Sequence, residues 1–340
     1  MGYPRKSLIC LSDTPYYHVV ARCVRRAWLC GYDDYSGKDF SHRKHWVLQR
    51  LRLLAEIFAI ELCAYAIMSN HYHLVLRVDR ERGAQLTKEE VVQRWTRLFR
   101  APPLIQRWKN GHATAAERAI AEQVIERWRK RLIDISWYMR TLNEYLARRA
   151  NAEDECAGRF WEGRFKSQAL LDEAGLLTAM AYVDLNPVRA GAARTPEESE
   201  FTSIYARIRE KTLQMRVRPN APRDKKHRAR RATPPLLAFR DEGPGQRASL
   251  PMRLQEYLQL VDCTGRIARA DKPGVIDAKL ASILERLRID PDEWKTTMLI
   301  GGNRFGRAIG RLELLRAHAR RLGQAWIRGL QVAQRLYCRA

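Results

Sequence analysis

Residues 16–24, YYHVVARCV, are β-branched and aromatic, with apolar residues near alternate positions, and predict a strand. A turn-rich stretch, GYDDYSGKDFSHRKH, follows. Then Trp46, Leu48, Leu51, Leu54, Ile57 and Phe58 recur at helical spacing, which predicts an amphipathic helix over 45–60. Residues 61–67, ELCAYAI, read as a buried strand. Met68-Ser69-Asn70 supplies turn chemistry, and 71–78 return as the second arm of a hairpin. Residues 80–132 are polar, charged and Trp-containing without a strand pattern, and read as a helical insertion. Helical spacing returns over 134–150, RFKSQALL (164–171) is strand-like, and 172–185 is helical again until Pro187 enforces a stop.

The order strand, helix, strand, strand, helix, strand, helix splits two βαβ-like halves around a hairpin. It predicts an α+β fold, a ferredoxin-like antiparallel sheet with helices on one face, within a domain at 1–205. Between 207 and 231 the chain carries eleven Lys or Arg and two acids. Residues 206–248 therefore read either as a plain linker or as a basic arm able to lie along phosphates. Over 249–340, SLPMRLQEYLQLV, PGVIDAKLASILERL and GRAIGRLELLRAHARRLGQAWIRGL predict an all-α C-terminal domain with Trp326 in its core. The glycines of IGGNRFG (300–306) follow no strand, so they read as a helix connection and not a nucleotide loop.

Composition adds a partner. The 340 residues are 46% apolar and 29% charged, a globular balance, but 62 Lys plus Arg face 38 Asp plus Glu. The net charge of +24 and a pI near 10.2 point to polyanions. Arg is much commoner than Lys, which favours forked contacts to phosphate. No apolar run reaches the length of a membrane helix, and MGYPRKSLICLSDTP lacks the apolar core and cleavage site of a signal peptide. Seven scattered cysteines without CxxC pairing read as reduced thiols of a cytosolic protein.

Two segments carry candidate chemistry. In MSNHYHLVLRV (68–78), strand alternation places His71 and His73 on one face and Tyr72 on the other. The pair is either half of a divalent-metal site or two ordinary histidines. In AYVDLNPVRAG (181–191), Tyr182 and Asn186 share a helix face one turn apart, either as a packed ring and a cap or as reactive groups. Asp184 should face away from Tyr182, and His18 reads as structural or nucleic-acid-contacting. In RFWEGRFK, Arg159, Arg164 and Lys166 alternate with Trp161 and Phe165, a mixture suited to single strands, where bases stack and phosphates pair. Arg22, Arg25 and Arg26 form a less specific basic group.

SNHYHLVL resembles the His-hydrophobic-His motif of the single-tyrosine HUH nucleases, and AYVDLNPVRAG resembles their tyrosine helix. With YHVVARCVRR and FWEGRFKS in the right order, residues 8–200 resemble a bacterial transposase of the insertion-sequence, REP-associated tyrosine type. The resemblance implies a HUH nuclease fold and a metal-dependent single-stranded DNA endonuclease and strand transferase. Tyr182 would be the nucleophile forming a 5′-phosphotyrosine, with His71, His73 and Asn186 holding Mg²⁺ or Mn²⁺. Arg22, Arg25, Arg159, Trp161, Arg164, Lys166 and Arg189 would contact DNA. The implied partner is hairpin-bearing single-stranded DNA, met in the cytoplasm at the nucleoid by a monomer or homodimer. The alternative is a domesticated relative that binds structured single strands or represses expression without cleavage. Asn186, preceding Pro187, should sit just past the last helical turn.

Overall fold

A computed structural model describes residues 8–24, 29–33, 36–216, 233–242, 248–268, 278–300 and 304–337. Strand β1 spans Tyr16–Arg22, followed by helix α1 (Arg43–Ile57), β2 (Ile60–Ile67) and β3 (His71–Val78). The buried stripe of α1, including Val47, Leu48, Leu51, Leu54 and Ile57, has the helical spacing legible in the chain. The insertion folds as α2 (Arg80–Gln85), α3 (Lys88–Thr96), α4 (Pro103–Lys109) and α5 (Ala115–Leu132). Capping boxes start two of these: Thr87 with Glu90 opens α3, and Thr114 with Glu117 opens α5. Its tryptophans form a local core, with Trp95 stacked against Phe99 at 4.6 Å and Trp128 at 5.7 Å between ring centres.

Helix α6 (Ile135–Glu153), strand β4 (Lys166–Leu170) and helix α7 (Glu173–Asp184) follow. Pro187 ends α7 as expected, but the chain restarts at once. Leu185 sits at φ −89° and ψ 0°, and Asn186–Arg189 form one further turn, α8. Pro187 falls at the beginning of that turn, where its missing N–H leaves no helical bond unmade. Asn186 thus lies past the end of α7 while still carried in helical geometry.

After α9 (Ser203–Arg216) come α10 (Leu254–Ala268), α11 (Ala278–Arg286), α12 (Pro291–Ile300), β5 (Ala308–Ile309), α13 (Leu312–Arg321) and α14 (Leu330–Leu336). The sheet order is β2-β3-β1-β4-β5, antiparallel except for the β4/β5 pair. The protein is therefore α+β with a mostly antiparallel five-stranded sheet.

Helices cover both faces of this sheet, not one. Tyr17, Val19 and Ala21 pair with Leu76, Leu74 and Tyr72, so all six share a face, and the Tyr72 hydroxyl donates to Asn143 on α6. On the opposite face α7 and α8 lie over the alternate residues, His18 and Val20 of β1 and His73 and Val75 of β3 among them. The expected element order did not include a partner for α7, and this accounts for the difference: a helix buried all round needs cover beyond the sheet. The C-terminal segment supplies it. Tyr257 of α10 donates to the buried Asp184 carboxylate at 2.6 Å, and Gly265 lies against Leu185.

The expected all-α unit is corrected accordingly. Ala308 and Ile309 join the sheet edge beside Ala169 and Leu170, and the apolar core runs unbroken from Tyr17 to Tyr337. Trp326, expected in the core, is 64% exposed; its neighbour Ile327 takes the inward position in that loop. Within 206–248, α9 occupies the first part, while Leu237 and Phe239 are buried against β2 by a bond from the Leu237 N–H to the Leu62 carbonyl at 2.8 Å. Most of the basic stretch (217–232), Arg25, Arg26, residues 301–303 and Cys338 lie outside the described residues. The six described cysteines form no disulfide with one another. Among the described residues no helix is long and apolar enough to cross a membrane.

Candidate active site

The turn before β3 is closed by the Met68 N–H donating to the His71 carbonyl at 2.8 Å, so β3 opens on the first histidine. His71 lies opposite Arg22 of β1, and His73 lies opposite Val20. Their rings are 4.9 Å apart between centres on the shared face. Two residues further back along β1, His18 stacks on His73 with ring centres 5.1 Å apart and Nε2 2.9 Å from His73 Nδ1. Gln168 stands opposite His18 on β4, with Oε1 2.8 Å from His18 Nδ1.

Helix α7 brings in the tyrosine. Of its residues Glu173 to Asp184, only Glu173 and Tyr182 escape burial. Ten others are packed away, so Tyr182 is the one side chain the body of this helix offers to the site. Its ring meets His73 edge-on at 5.9 Å and His18 at 6.3 Å. Its hydroxyl has no hydrogen-bond partner among the described residues. One turn on, Asn186 places Nδ2 3.1 Å from His73 Nε2. The Arg189 guanidinium carbon lies 4.5 Å from the Tyr182 ring centre. Arg189 donates through Nη2 to the Leu299 carbonyl at 3.4 Å, and its Nε–H is buried with no partner among the described residues. A buried donor without an acceptor costs free energy, about 1–3 kcal/mol, and an incoming anion would relieve it.

Burial pushes His18 down to about 4. It pushes His71 down to about 4 as well, with the Arg22 charge adding to the effect. His73 is driven well below the ordinary histidine value by burial, then by His18, His71 and Arg189. All three are therefore neutral near pH 7, the form in which an imidazole nitrogen can ligate a metal. His71 Nδ1 is 2.7 Å from Asn70 Oδ1, an acceptor, which puts the proton on Nδ1 and the lone pair on Nε2.

Among the described residues no cluster of three or more His, Cys, Asp or Glu side chains is arranged for a metal. The donor set here is different in kind: two imidazoles and one carboxamide. Its chemistry suits an exchangeable divalent ion, since the Asn186 amide carries an oxygen donor besides the nitrogen now facing His73.

The fold thus assembles His71, His73, Tyr182, Asn186 and Arg189 into one site. Arg22 and Lys166 stand on the same sheet face, opposite His71 and Val20 respectively, and both are exposed. Arg159 and Arg164 are exposed in the loop before β4. Trp161 is placed differently: its indole N–H donates to the Asn143 carbonyl at 2.9 Å, and its ring packs edge-on against Tyr72 at 5.7 Å, on the α6 side of the sheet. Asp184 faces away from Tyr182, as expected, and accepts bonds from Ser203, the Ile204 N–H and Tyr257. His18 and Gln168 are the participants that spacing did not single out. Period-two alternation put His18 on a definite face of its strand, but only the pairing of β1 with β3 and β4 identifies which neighbours it meets.

Neither family models, nor curated proteins, nor solved structures yield a match to this chain.

Proposed function

We propose that the protein is a metal-dependent single-stranded DNA endonuclease and strand transferase of the single-tyrosine HUH type, with Tyr182 as nucleophile. The observation that carries this reading is the position of Tyr182. It is the one partly open side chain in the body of a buried helix, it touches two neutral histidines, and a guanidinium with an unused N–H lies over its ring. The order of the four longer strands, β2-β3-β1-β4, is that of a ferredoxin-like sheet and supports the same assignment.

In the proposed reaction the Tyr182 oxygen attacks the phosphorus of a phosphodiester in the bound strand. The new bond joins Tyr182 to the 5′-phosphate, the bond from phosphorus to the 3′ oxygen breaks, and the tyrosine proton is lost as the departing 3′ oxygen gains one. One phosphate ester replaces another, so a 3′-OH can reverse the step and rejoin strands. Asn186 and the Nε2 atoms of His71 and His73 would hold Mg²⁺ or Mn²⁺, which supplies polarisation of the phosphate oxygens. Arg189 would donate its free Nε–H to the same phosphate beside the nucleophile. Arg22 and Lys166, at the exposed end of the site's own sheet face, would hold the flanking backbone, with Arg159 and Arg164 extending the basic track.

The test uses labelled single-stranded oligonucleotides carrying the hairpins that flank the gene, with Mg²⁺ or Mn²⁺, resolved on denaturing gels. The expected result is a protein–DNA adduct that requires metal and is absent in Tyr182→Phe. An adduct persisting in Tyr182→Phe would move the nucleophile elsewhere. Tight binding to the same hairpins without an adduct would favour a non-cutting binder or repressor.

A further inference from the structure

The nitrogen that His73 presents toward Asn186 is set by a chain of hydrogen bonds with a fixed direction. Its far end is backbone. Gln168 Nε2 lies 2.7 Å from the Gly306 carbonyl and 3.3 Å from that of Phe305. Carbonyl oxygens only accept, so this end of the amide must be the NH₂ and the oxygen must face His18. Oε1 in turn only accepts, so the 2.8 Å contact requires a proton on His18 Nδ1. A neutral imidazole with Nδ1 protonated carries its lone pair on Nε2. The next contact, 2.9 Å from His18 Nε2 to His73 Nδ1, therefore needs the proton on His73 Nδ1. That leaves the His73 lone pair on Nε2, facing the Asn186 side chain at 3.1 Å.

We infer that Gln168 and His18 are positioning residues: they lock His73 in the Nδ1–H tautomer so that its Nε2 lone pair is held ready for a divalent cation. This rests on the metal site proposed above and adds its orientation. It also gives the C-terminal segment a specific part in the site, since the carbonyls that orient Gln168 belong to Phe305 and Gly306. His71 reaches the same tautomer by a shorter route, through Asn70 alone. One histidine is thus oriented by its neighbour in the turn, the other by a relay reaching the C-terminal segment. Partners that donate or accept at the far nitrogen of a ligating histidine typically change metal affinity 10–100-fold when removed.

The experiment combines long-range ¹H–¹⁵N NMR of the histidine rings with calorimetric titration of Mn²⁺, both on the full chain without DNA. The wild-type protein should show His18 and His73 as Nδ1–H tautomers. Gln168→Leu, close in size and without the amide, should lose the uniform His73 tautomer and weaken Mn²⁺ binding by about 10–100-fold. The same weakening should persist when Gln168→Leu is made in a His71→Ala background, because the relay acts through His73 and not through His71. A wild-type His73 protonated on Nε2 overturns the inference, and that spectrum needs no variant to fold. Correct tautomers with Mn²⁺ affinity unchanged in Gln168→Leu overturn the positioning role. Correct tautomers with no Mn²⁺ binding in the wild type sink the metal reading itself, a different failure from either of these.

Discussion

Arg189 packs over Tyr182 and, in the proposed reaction, would also donate to the phosphate. Its guanidinium spreads over the Tyr182 ring, spends one N–H on the Leu299 carbonyl, and keeps Nε buried and without a partner among the described residues. A lysine at this position retains charge but not the planar fork, so it cannot cover the ring and aim a second donor at once. Arg189→Lys is expected to slow adduct formation by about 100-fold, the scale found when one preorganised donor is removed from a reacting oxyanion. Single-turnover cleavage under saturating metal checks this. A rate within threefold or so of wild type would assign Arg189 to packing alone.

At the scale of elements, α7 is held at both ends by polar clasps. Asp172 accepts from the Gly175 N–H at 2.7 Å and from the Arg311 N–H at 2.7 Å, tying the helix start to the strand edge. At the other end Asp184 gathers Ser203, Ile204 and Tyr257, joining α7 to α9 and α10. Burial raises Asp184 to about 6, above its ordinary 3.8, despite those donors. Its contribution to stability is full below 3.8 and is lost as pH rises through about 6. The imidazoles of His18 and His71, lowered to about 4, act in the opposite sense: their contribution is present above 6.5 and lost as pH falls through about 4. With His73 lowered as well, the histidines outweigh the single carboxyl, so stability should fall on acidification from 6.5 to 4. Asp184→Asn removes the opposing slope and should make that fall steeper. Urea unfolding at several pH values measures it, and an unchanged slope would remove Asp184 from the balance.

At the scale of the whole molecule, the C-terminal helices are part of the same core as the N-terminal half. They cover α7, add β5 to the sheet, and supply the Phe305, Gly306 and Leu299 carbonyls that orient Gln168 and Arg189. Removing 249–340 would expose the apolar surface of a helix that is buried on nearly every side, and each fully exposed Leu or Met costs about 1.5–3 kcal/mol. Such a truncation should not fold cooperatively, as judged by thermal or urea melts followed by circular dichroism. A sharp two-state transition in the truncated chain would show the N-terminal part to be independently stable.

The local patterns were strong enough to foretell most of the secondary structure. Period-two alternation, helical stripes and Pro187 act within a few residues, so β1, α1, the 71–78 strand, α6 and α7 can be read along the chain. The same local rules placed His71 with His73, and Tyr182 with Asn186, as two separate pairs. Their union depends on strand pairing and on the seating of α7, contacts between residues more than 100 apart in sequence. Three features had no local signature. Ala308–Ile309 are a strand only because the β4 edge offers hydrogen bonds. Trp326 turns outward because Ile327 takes the inward place. His18 and Gln168 gain their meaning from a chain of protons that exists only once three strands lie side by side. Side-chain periodicity is a property of a segment, whereas the direction of a hydrogen-bond chain belongs to the assembled sheet.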